Sequence, residues 1–116
     1  MNPCYRYSAR VVSVYDGDTL RCDLSLGFDV KLMNRQIRLL GINAPEMTGN
    51  SRTQGEASRD RLRQLVLDKD IVVETVKDKT EKYGRYLGRA YVSQDGVSIC
   101  VNDLLISEGL ATPYMT

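Results

Sequence analysis

The stretch YRYSARVVSVYDGDTLRCDLSL, residues 5–26, decides the predicted fold. Up to residue 15 it mixes β-branched and aromatic residues with polar ones, a pattern typical of a strand. Asp-Gly-Asp at 16–18 is a turn signal. In residues 19–26 apolar side chains alternate with polar ones, which is the two-residue period of a half-buried strand. We therefore predict two strands joined by a tight turn.

The rest of the chain predicts three further strands and two helices. The strands are predicted over 30–42, 70–76 and 86–92, the helices over 54–69 and 101–108, a mobile loop over 47–53 and a second loop over 77–85. Pro45 disfavours continuation of the third strand, whereas the apolar residues of 54–69 recur at helical spacing. Asp95 and Gly96 predict a tight turn, and Gly109 stands where a helix C-terminus favours glycine.

This order of elements predicts an α+β protein with a five-stranded Greek-key barrel and two helices, the OB-fold. With 116 residues, 42% of them hydrophobic and 27% charged, the chain has the size and composition of one globular domain spanning 1–116. The ligand face of an OB-fold lies over strands 2 and 3 and the adjoining loops. We expect the functional residues there.

The sequence contains no histidine, which excludes Ser-His-Asp and Cys-His catalysis and histidine-based metal sites. A hydrolase of this composition must move protons with Asp, Glu, Lys, Tyr or Cys, and an oxygen-ligated hard cation is the natural helper. The net charge is only +1. Any phosphate contact therefore has to come from a few placed arginines rather than from a broadly basic face.

Cysteine usage and hydropathy predict a cytoplasmic protein without membrane association. Cys4, Cys22 and Cys100 are far apart and form no C-x-x-C pair, so we predict buried reduced thiols rather than a disulfide framework or a zinc cluster. Residues 1–10 contain no apolar stretch of the kind that a signal peptide needs, and no later run approaches the ~20 residues of a membrane span. If a leader has been removed, the expected location is outside the cell.

Three short motifs occur in a fixed order: DGDT at 16–19, RLLGINAPE at 38–46 and KYGR at 82–85. GEA at the start of the first predicted helix and EGLA before the C-terminus accompany them. On these residues the chain resembles the staphylococcal nuclease (thermonuclease) family over nearly its whole length. The resemblance implies a calcium-dependent, sugar-nonspecific endonuclease on an OB-fold, acting as a monomer on DNA and RNA, with single-stranded or frayed substrates favoured.

The resemblance also implies roles for individual positions. These are Asp18, Asn43 and Ala44 as metal ligands, Ala44 through its backbone carbonyl; Arg38 and Arg85 as the catalytic pair that grips phosphate; Glu46 as the general base; and Tyr83 and Tyr114 as substrate contacts. Alternatives stay open for the two tyrosines. Tyr83 is either a phosphate contact or a solvated loop residue, and Tyr114 either stacks on a base or packs against the barrel.

The implied roles agree with elementary chemistry. Two guanidinium groups aimed at the phosphate oxygens bind the transition state of phosphodiester cleavage more tightly than the substrate. Arginine suits this task because its planar fork donates two hydrogen bonds and stays charged at any working pH. In a chain without histidine a carboxylate has to take the proton from the attacking water, and Glu46 follows the rigid Pro45 directly.

Asn43 departs from the family pattern, which has an aspartate at this position. An amide oxygen can ligate calcium but contributes no formal charge, and ligand charge helps to set calcium affinity. We therefore expect a calcium site weaker by about 1–3 kcal/mol, or one to two decades, with Asp16 able to compensate from outside the direct ligands. The alternative function is a non-catalytic nucleic-acid or protein binding module on the same barrel. A structural or assembly role has no positive support in the sequence.

Overall fold

The structure, a computed structural model, describes residues 5–114, apart from the side chain of Lys77. Its strands are β1 Arg6–Asp16, β2 Thr19–Gly27, β3 Val30–Leu39, β4 Ile42–Asn43, β5 Asp70–Thr80, β6 Tyr86–Gln94, β7 Val97–Cys100 and β8 Thr112–Pro113, and its helices are α1 Arg52–Val66 and α2 Val101–Ser107. A 3-10 turn, Gly49–Ser51, precedes α1.

Five of the strands close into a barrel. β1, β2 and β3 form an antiparallel meander, and β5 pairs antiparallel with β1 on one side and with β6 on the other. β3 and β6 then pair in parallel, with Ile37 opposite Tyr86 and Arg38 opposite Leu87. This last pairing closes the ring and confirms the predicted OB-fold. β7 extends the sheet as the hairpin partner of β6.

The apolar side of the strand pattern fills the barrel. Leu20 and Cys22 of β2 are fully buried, as the two-residue period predicts, and Ile37 of β3 is the buried cross-strand partner of Leu20. Leu62 and Val66 of α1 are fully buried as well, because α1 packs its apolar stripe against β1. The residues that alternate with the buried ones along β2 are partly exposed: Arg21, Asp23 and Ser25.

The predicted third strand ends earlier than expected. β3 stops at Leu39, and the chain turns at Leu40 and Gly41 before it enters β4. Gly41 has a φ of +80°, a left-handed conformation that favours glycine. The Leu40 N–H donates to the carbonyl of Gly88 at 2.8 Å. The prediction of one continuous strand over 30–42 was therefore wrong at its C-terminal end.

The two predicted loops are shorter than expected. Residues 77–80 continue β5, because Thr80 still pairs with Tyr86 beyond an irregular register, so only the part of 77–85 after Thr80 is a loop. The segment 47–53 contains the 3-10 turn and the start of α1, which begins at Arg52. In that segment the Ser51 hydroxyl donates to the carbonyls of Glu46 and Thr48 at 3.1 and 3.3 Å. Neither bond could be anticipated from composition.

The side chain of Asn102 ties α2 to the strands that carry the site. Asn102 is fully buried. Its amide oxygen accepts from the N–H of Ala90 at 3.0 Å, and its amide nitrogen donates to the carbonyls of Leu40 and Gly88 at 2.8 and 3.2 Å. A buried amide whose oxygen and nitrogen are both hydrogen-bonded fixes its neighbours in one arrangement. The turn between β3 and β4 is thereby held against β6.

Two further features concern the cysteines and the apolar character of the helices. Cys22 lies in the core, where burial raises the pKa of its thiol to about 12, and Cys100 is half-buried. Cys4 lies outside the described residues. Across residues 5–114, no helix combines the length and the apolar character that crossing a membrane requires.

Candidate active site

The turn between β1 and β2 lies beside the end of β3. Thr19 is the cross-strand partner of Arg38, and the N–H of Leu39 donates to the carbonyl of Asp18 at 2.8 Å. Gly17 allows this turn to pack closely, because a Cβ there would lie 2.7 Å from the Cβ of Ala44. The DGDT and RLLGINAPE motifs, separated in sequence, therefore meet at one end of the barrel.

Asp18 is the centre of this meeting point. It is only 7% exposed. Its Oδ2 accepts from the N–H of Ala44 at 2.9 Å, and its Oδ1 accepts from the hydroxyl of Thr19 at 3.1 Å. The Arg38 guanidinium approaches Oδ2 at 3.5 Å. A buried carboxylate is retained only where hydrogen bonds and opposite charge replace its water, and Asp18 has both.

Asp16 places a second carboxylate beside Asp18. Its Oδ1 accepts from the Asp18 N–H at 3.0 Å. Burial, followed by the hydrogen bond and the negative charge of Asp18, raises the pKa of Asp16 to about 6, against an ordinary value of 3.8. The pair therefore creates a negative potential that Arg38 offsets only in part.

Arg38 is a buried arginine, 8% exposed, that spans several acceptors. Its Nη1 donates to the carbonyl of Leu39 at 2.8 Å, and its Nη2 lies 3.4 Å from Oδ1 of Asn43. The guanidinium carbon lies 5.9 Å from the ring centroid of Tyr114, a cation–π distance. Asn43 and Tyr114 are thus both brought against the arginine that pairs with Asp18.

Arg85 reaches the residues around Asp18 from the loop between β5 and β6. Its Nη1 lies 3.4 Å from the Thr19 hydroxyl, and its Nη2 donates to Oε2 of Glu81 at 3.0 Å. The group that these contacts connect, here called the cluster, consists of Asp16, Asp18, Thr19, Arg38, Asn43, Ala44, Glu81 and Arg85. The Glu81 carboxylate raises the pKa of Arg85 above its ordinary value. Its Nε is buried and has no hydrogen-bond partner among the described residues. Tyr83, 71% exposed, places its ring 5.5 Å from the Arg85 guanidinium carbon.

Glu46 is positioned by its backbone rather than by its side chain. Its carbonyl accepts from the Ser51 hydroxyl, and the start of α1 packs so closely on it that only glycine fits at position 55. Its side chain is exposed. Within residues 5–114 the Glu46 carboxylate forms neither a hydrogen bond nor an ion pair with the other predicted site residues. The structure therefore joins Asp18, Arg38, Asn43 and Ala44 by direct contacts. Arg85 is linked to Asp18 through Thr19, and the Glu46 side chain is neither hydrogen-bonded nor ion-paired to these residues within 5–114.

The donors near Asp18 suit a hard cation. Two carboxylates and the amide oxygen of Asn43 are oxygen ligands of the kind that calcium takes, and the crowding of Asp16 and Asp18 is of the kind that a divalent cation relieves. Among the described residues, no group of three or more Asp, Glu, His or Cys side chains is placed to hold a metal ion. Asn43 and the backbone would have to complete the set.

Two residues of the cluster, Thr19 and Glu81, were missed as site residues by the sequence reasoning. Thr19 belongs to the DGDT motif, but a threonine at the start of a strand has an ordinary structural explanation. Glu81 stands four residues before Arg85 in TEKYGR, a spacing that suggests an ion pair on a helix but carries no such meaning in a loop. Neither residue could be assigned to the site without the fold.

The chain is similar in sequence to a nuclease family and to a protein named as an endonuclease. A family model described as "Staphylococcal nuclease homologue" matches residues 36–116, a range that includes Arg38, Asn43, Glu46 and Arg85 and begins after Asp18. An "Uncharacterized endonuclease" of Haemophilus influenzae is 29% identical over 107 residues, which are 92% of this chain and 52% of the relative. The chain thus spans about half the length of that relative. Since the family model covers well over half of the chain, the protein belongs to the staphylococcal nuclease family.

Proposed function

We propose that this domain is an endonuclease that hydrolyses phosphodiester bonds of DNA and RNA and depends on calcium. The observation that carries the proposal is the approach of two arginines to Asp18 and Thr19, Arg38 from strand β3 and Arg85 from the loop between β5 and β6. Family membership and the endonuclease name of the Haemophilus influenzae relative support the same chemistry.

Arg38 and Arg85 would grip the scissile phosphate. The buried Nε of Arg85 lacks a partner among the described residues, and an unpaired buried donor costs free energy until an acceptor arrives. A phosphate oxygen is an acceptor that matches a guanidinium in charge and geometry. Since negative charge on the phosphate oxygens grows during cleavage, the same contacts would strengthen in the transition state.

Asp18, Asn43 and the backbone carbonyl of Ala44 would hold the calcium ion, with Asp16 beside them. When bound, the ion would polarise the phosphoryl oxygen and offset the charge that develops on it. Asp18 is already oriented for this role, because the Ala44 N–H and the Thr19 hydroxyl fix its two oxygens.

Glu46 is the proposed general base. Within the described chain its carboxylate has no ion pair or hydrogen bond that would have to break before it accepts a proton from the attacking water. Its backbone is held by Ser51 and by the close packing of Gly55. A fixed backbone with an accessible carboxylate suits proton transfer at one defined place.

Lack of sequence and sugar specificity would follow from a site that contacts phosphate rather than base edges. Tyr83 and Tyr114 are both exposed and both lie over an arginine of the cluster. Aromatic rings accept the face of any base, so these two side chains would hold single-stranded or frayed substrate without selecting a sequence.

The second candidate function is a binding module without catalysis on the same barrel. Two observations favour it: Asn43 carries no charge where the family pattern has one, and the Glu46 carboxylate makes no contact with the arginine cluster in the described chain. Such a module would use Arg38 and Arg85 to bind nucleic acid and leave it intact.

One experiment separates the two functions. Single-stranded DNA and RNA are incubated with the protein with and without calcium, alongside Glu46→Gln and the matched control Glu74→Gln, whose carboxylate pairs with Arg6 on the barrel wall. Calcium-dependent cutting that is lost in Glu46→Gln and kept in Glu74→Gln supports the endonuclease. Binding without cutting in all three proteins supports the module and refutes the proposed activity.

A further inference from the structure

We infer that Glu81 is the positioning residue of Arg85, holding its guanidinium in the orientation in which it would grip the phosphate. This inference rests on the proposed function and adds a residue to it. Glu81 opens the loop between β5 and β6. It belongs to none of the roles that the family resemblance implies.

The Glu81 carboxylate binds the backbone and the side chain of Arg85 at once. Its Oε1 accepts from the N–H groups of Tyr83 and Arg85 at 2.9 and 3.0 Å, while its Oε2 accepts from Arg85 Nη2 at 3.0 Å. The Glu81 N–H also donates to the Arg85 carbonyl at 2.7 Å. Because all of these bonds involve Glu81, this residue fixes both the conformation of the loop and the orientation of the Arg85 guanidinium.

Arg85 has two further side-chain nitrogens, Nη1 and Nε. Nη1 faces the Thr19 hydroxyl at 3.4 Å, and Nε is buried without a partner among the described residues. The Glu81 and Arg85 side chains are only 16% and 23% exposed. A long arginine side chain loses considerable freedom when it binds a ligand, and a carboxylate that orders it beforehand removes that cost from the reaction.

A second ion pair in the protein has similar chemistry without this geometry. Glu108 accepts from Nε and Nη2 of Arg61 at 2.8 and 2.9 Å. The Glu108 carboxylate accepts no hydrogen bond from the backbone in the described part of the chain, and the pair joins the end of α2 to α1. Glu108→Gln is therefore a matched control that removes the same charge from the same kind of pair away from the cluster.

Removing the Glu81 charge should lower the rate of turnover without weakening substrate binding. Without the carboxylate, the positive charge of Arg85 is no longer offset and attracts an anionic substrate at least as strongly as before. The guanidinium is, however, no longer aligned for the transition state, and misplacement of this kind costs about 10- to 100-fold in rate. We expect Glu81→Gln to lower kcat by that factor while KM stays level or falls.

The test compares wild type, Glu81→Gln, Glu81→Asp and Glu108→Gln in steady-state cleavage of single-stranded DNA with calcium. Glu81→Asp keeps the charge and can still accept the Tyr83 N–H, so we expect it to retain most of the wild-type kcat. Thermal unfolding confirms that each variant is folded. An unchanged kcat in Glu81→Gln, a rise in KM alone, or an equal loss in Glu108→Gln overturns the inference.

A second readout does not depend on activity. Nitrogen-15 relaxation of the arginine Nε groups reports how rigid each guanidinium is. We expect the Arg85 Nε order parameter to fall in Glu81→Gln and to stay unchanged in Glu108→Gln. If the wild type does not cleave, the proposed function fails and this measurement alone decides the inference. An equally rigid Arg85 in Glu81→Gln would then refute it.

Discussion

The hydroxyl of Thr19 lies 3.4 Å from Nη1 of Arg85 and connects the turn between β1 and β2 to the loop between β5 and β6. The same hydroxyl donates to Oδ1 of Asp18 at 3.1 Å. Thr19 is fully buried, so water cannot replace either bond. This one side chain joins the proposed cation ligands to the proposed phosphate grip.

Thr19→Val keeps the shape of the side chain and removes the hydroxyl. We expect it to lower the free energy of unfolding by about 1–3 kcal/mol, since the buried Asp18 carboxylate loses a donor, and to reduce cleavage as well. Urea unfolding measures the first effect and initial rates the second. Thr19→Ser, which keeps the hydroxyl, serves as the control and should stay close to wild type in activity. Wild-type stability in Thr19→Val would show that the hydroxyl bonds contribute nothing.

Asn43→Asp restores a charged ligand at the proposed calcium site. We expect the calcium dissociation constant to fall by one to two decades, or about 1–3 kcal/mol. Isothermal titration calorimetry measures it directly. Gln94→Glu makes the same change from amide to carboxylate at the far end of β6 and should leave calcium binding unchanged. Equal dissociation constants for wild type and Asn43→Asp would contradict the role given to Asn43.

Gly55→Ala tests the contact that positions Glu46. A Cβ at this position would lie 2.9 Å from the carbonyl oxygen of Pro45 and would also collide with the carbonyl of Glu46. Alanine improves helix propensity by about 1 kcal/mol over glycine, but overpacking against backbone costs about 1–3 kcal/mol. We expect net destabilisation in thermal unfolding and a larger loss of cleavage. The exposed neighbour Gln54→Ala should show neither effect.

The Glu81 carboxylate also predicts a pH dependence of stability. Its bonds to Arg85 lower its pKa from an ordinary 4.5 to about 2. A lowered folded-state pKa stabilises the protein above the unfolded value, and that stabilisation is lost as the pH falls through the folded value. Between pH 4.5 and about 2, the wild type should therefore lose stability relative to Glu81→Gln. Denaturant unfolding of both proteins over this range measures the difference, and a constant difference would contradict the assigned pKa.

The sequence predicted the barrel well because its strands obey local rules. Alternation in residues 19–26 predicted the burial of Leu20, Cys22 and Leu24, whereas Leu26 at the end of β2 is exposed. Asp95 and Gly96 form the predicted tight turn with φ values of +53° and +80°. These features depend on neighbours in sequence. Elements that depend on distant partners were missed. Strand β4, for example, exists because Ile42 and Asn43 pair with Pro113 and Thr112. A strand of two residues is too short to show a pattern in the sequence.

The candidate site was predicted only where residue chemistry is recognisable in short motifs. Asp18, Arg38 and Arg85 stand in such motifs, and the fold brings them together. The parts played by Thr19 and Glu81 arise from contacts across the barrel or within a loop, which sequence order does not encode. The backbone of Glu46 is held by Ser51 and Gly55, and the Glu46→Gln experiment tests its proposed role in proton transfer.

The short pairing of β4 with β8 makes one edge of the proposed site depend on residues far away in sequence. Thr112 and Pro113 pair with the strand that carries Asn43, and the Tyr114 N–H donates to the carbonyl of Gly41 at 2.8 Å. A polypeptide that stops before residue 112 has the barrel strands but lacks the β4–β8 pairing and the Tyr114–Gly41 hydrogen bond. The strand that carries Asn43 therefore depends on residues 112–114 for its partner, and removal of these residues would free one edge of the proposed cation site while leaving most of the core intact.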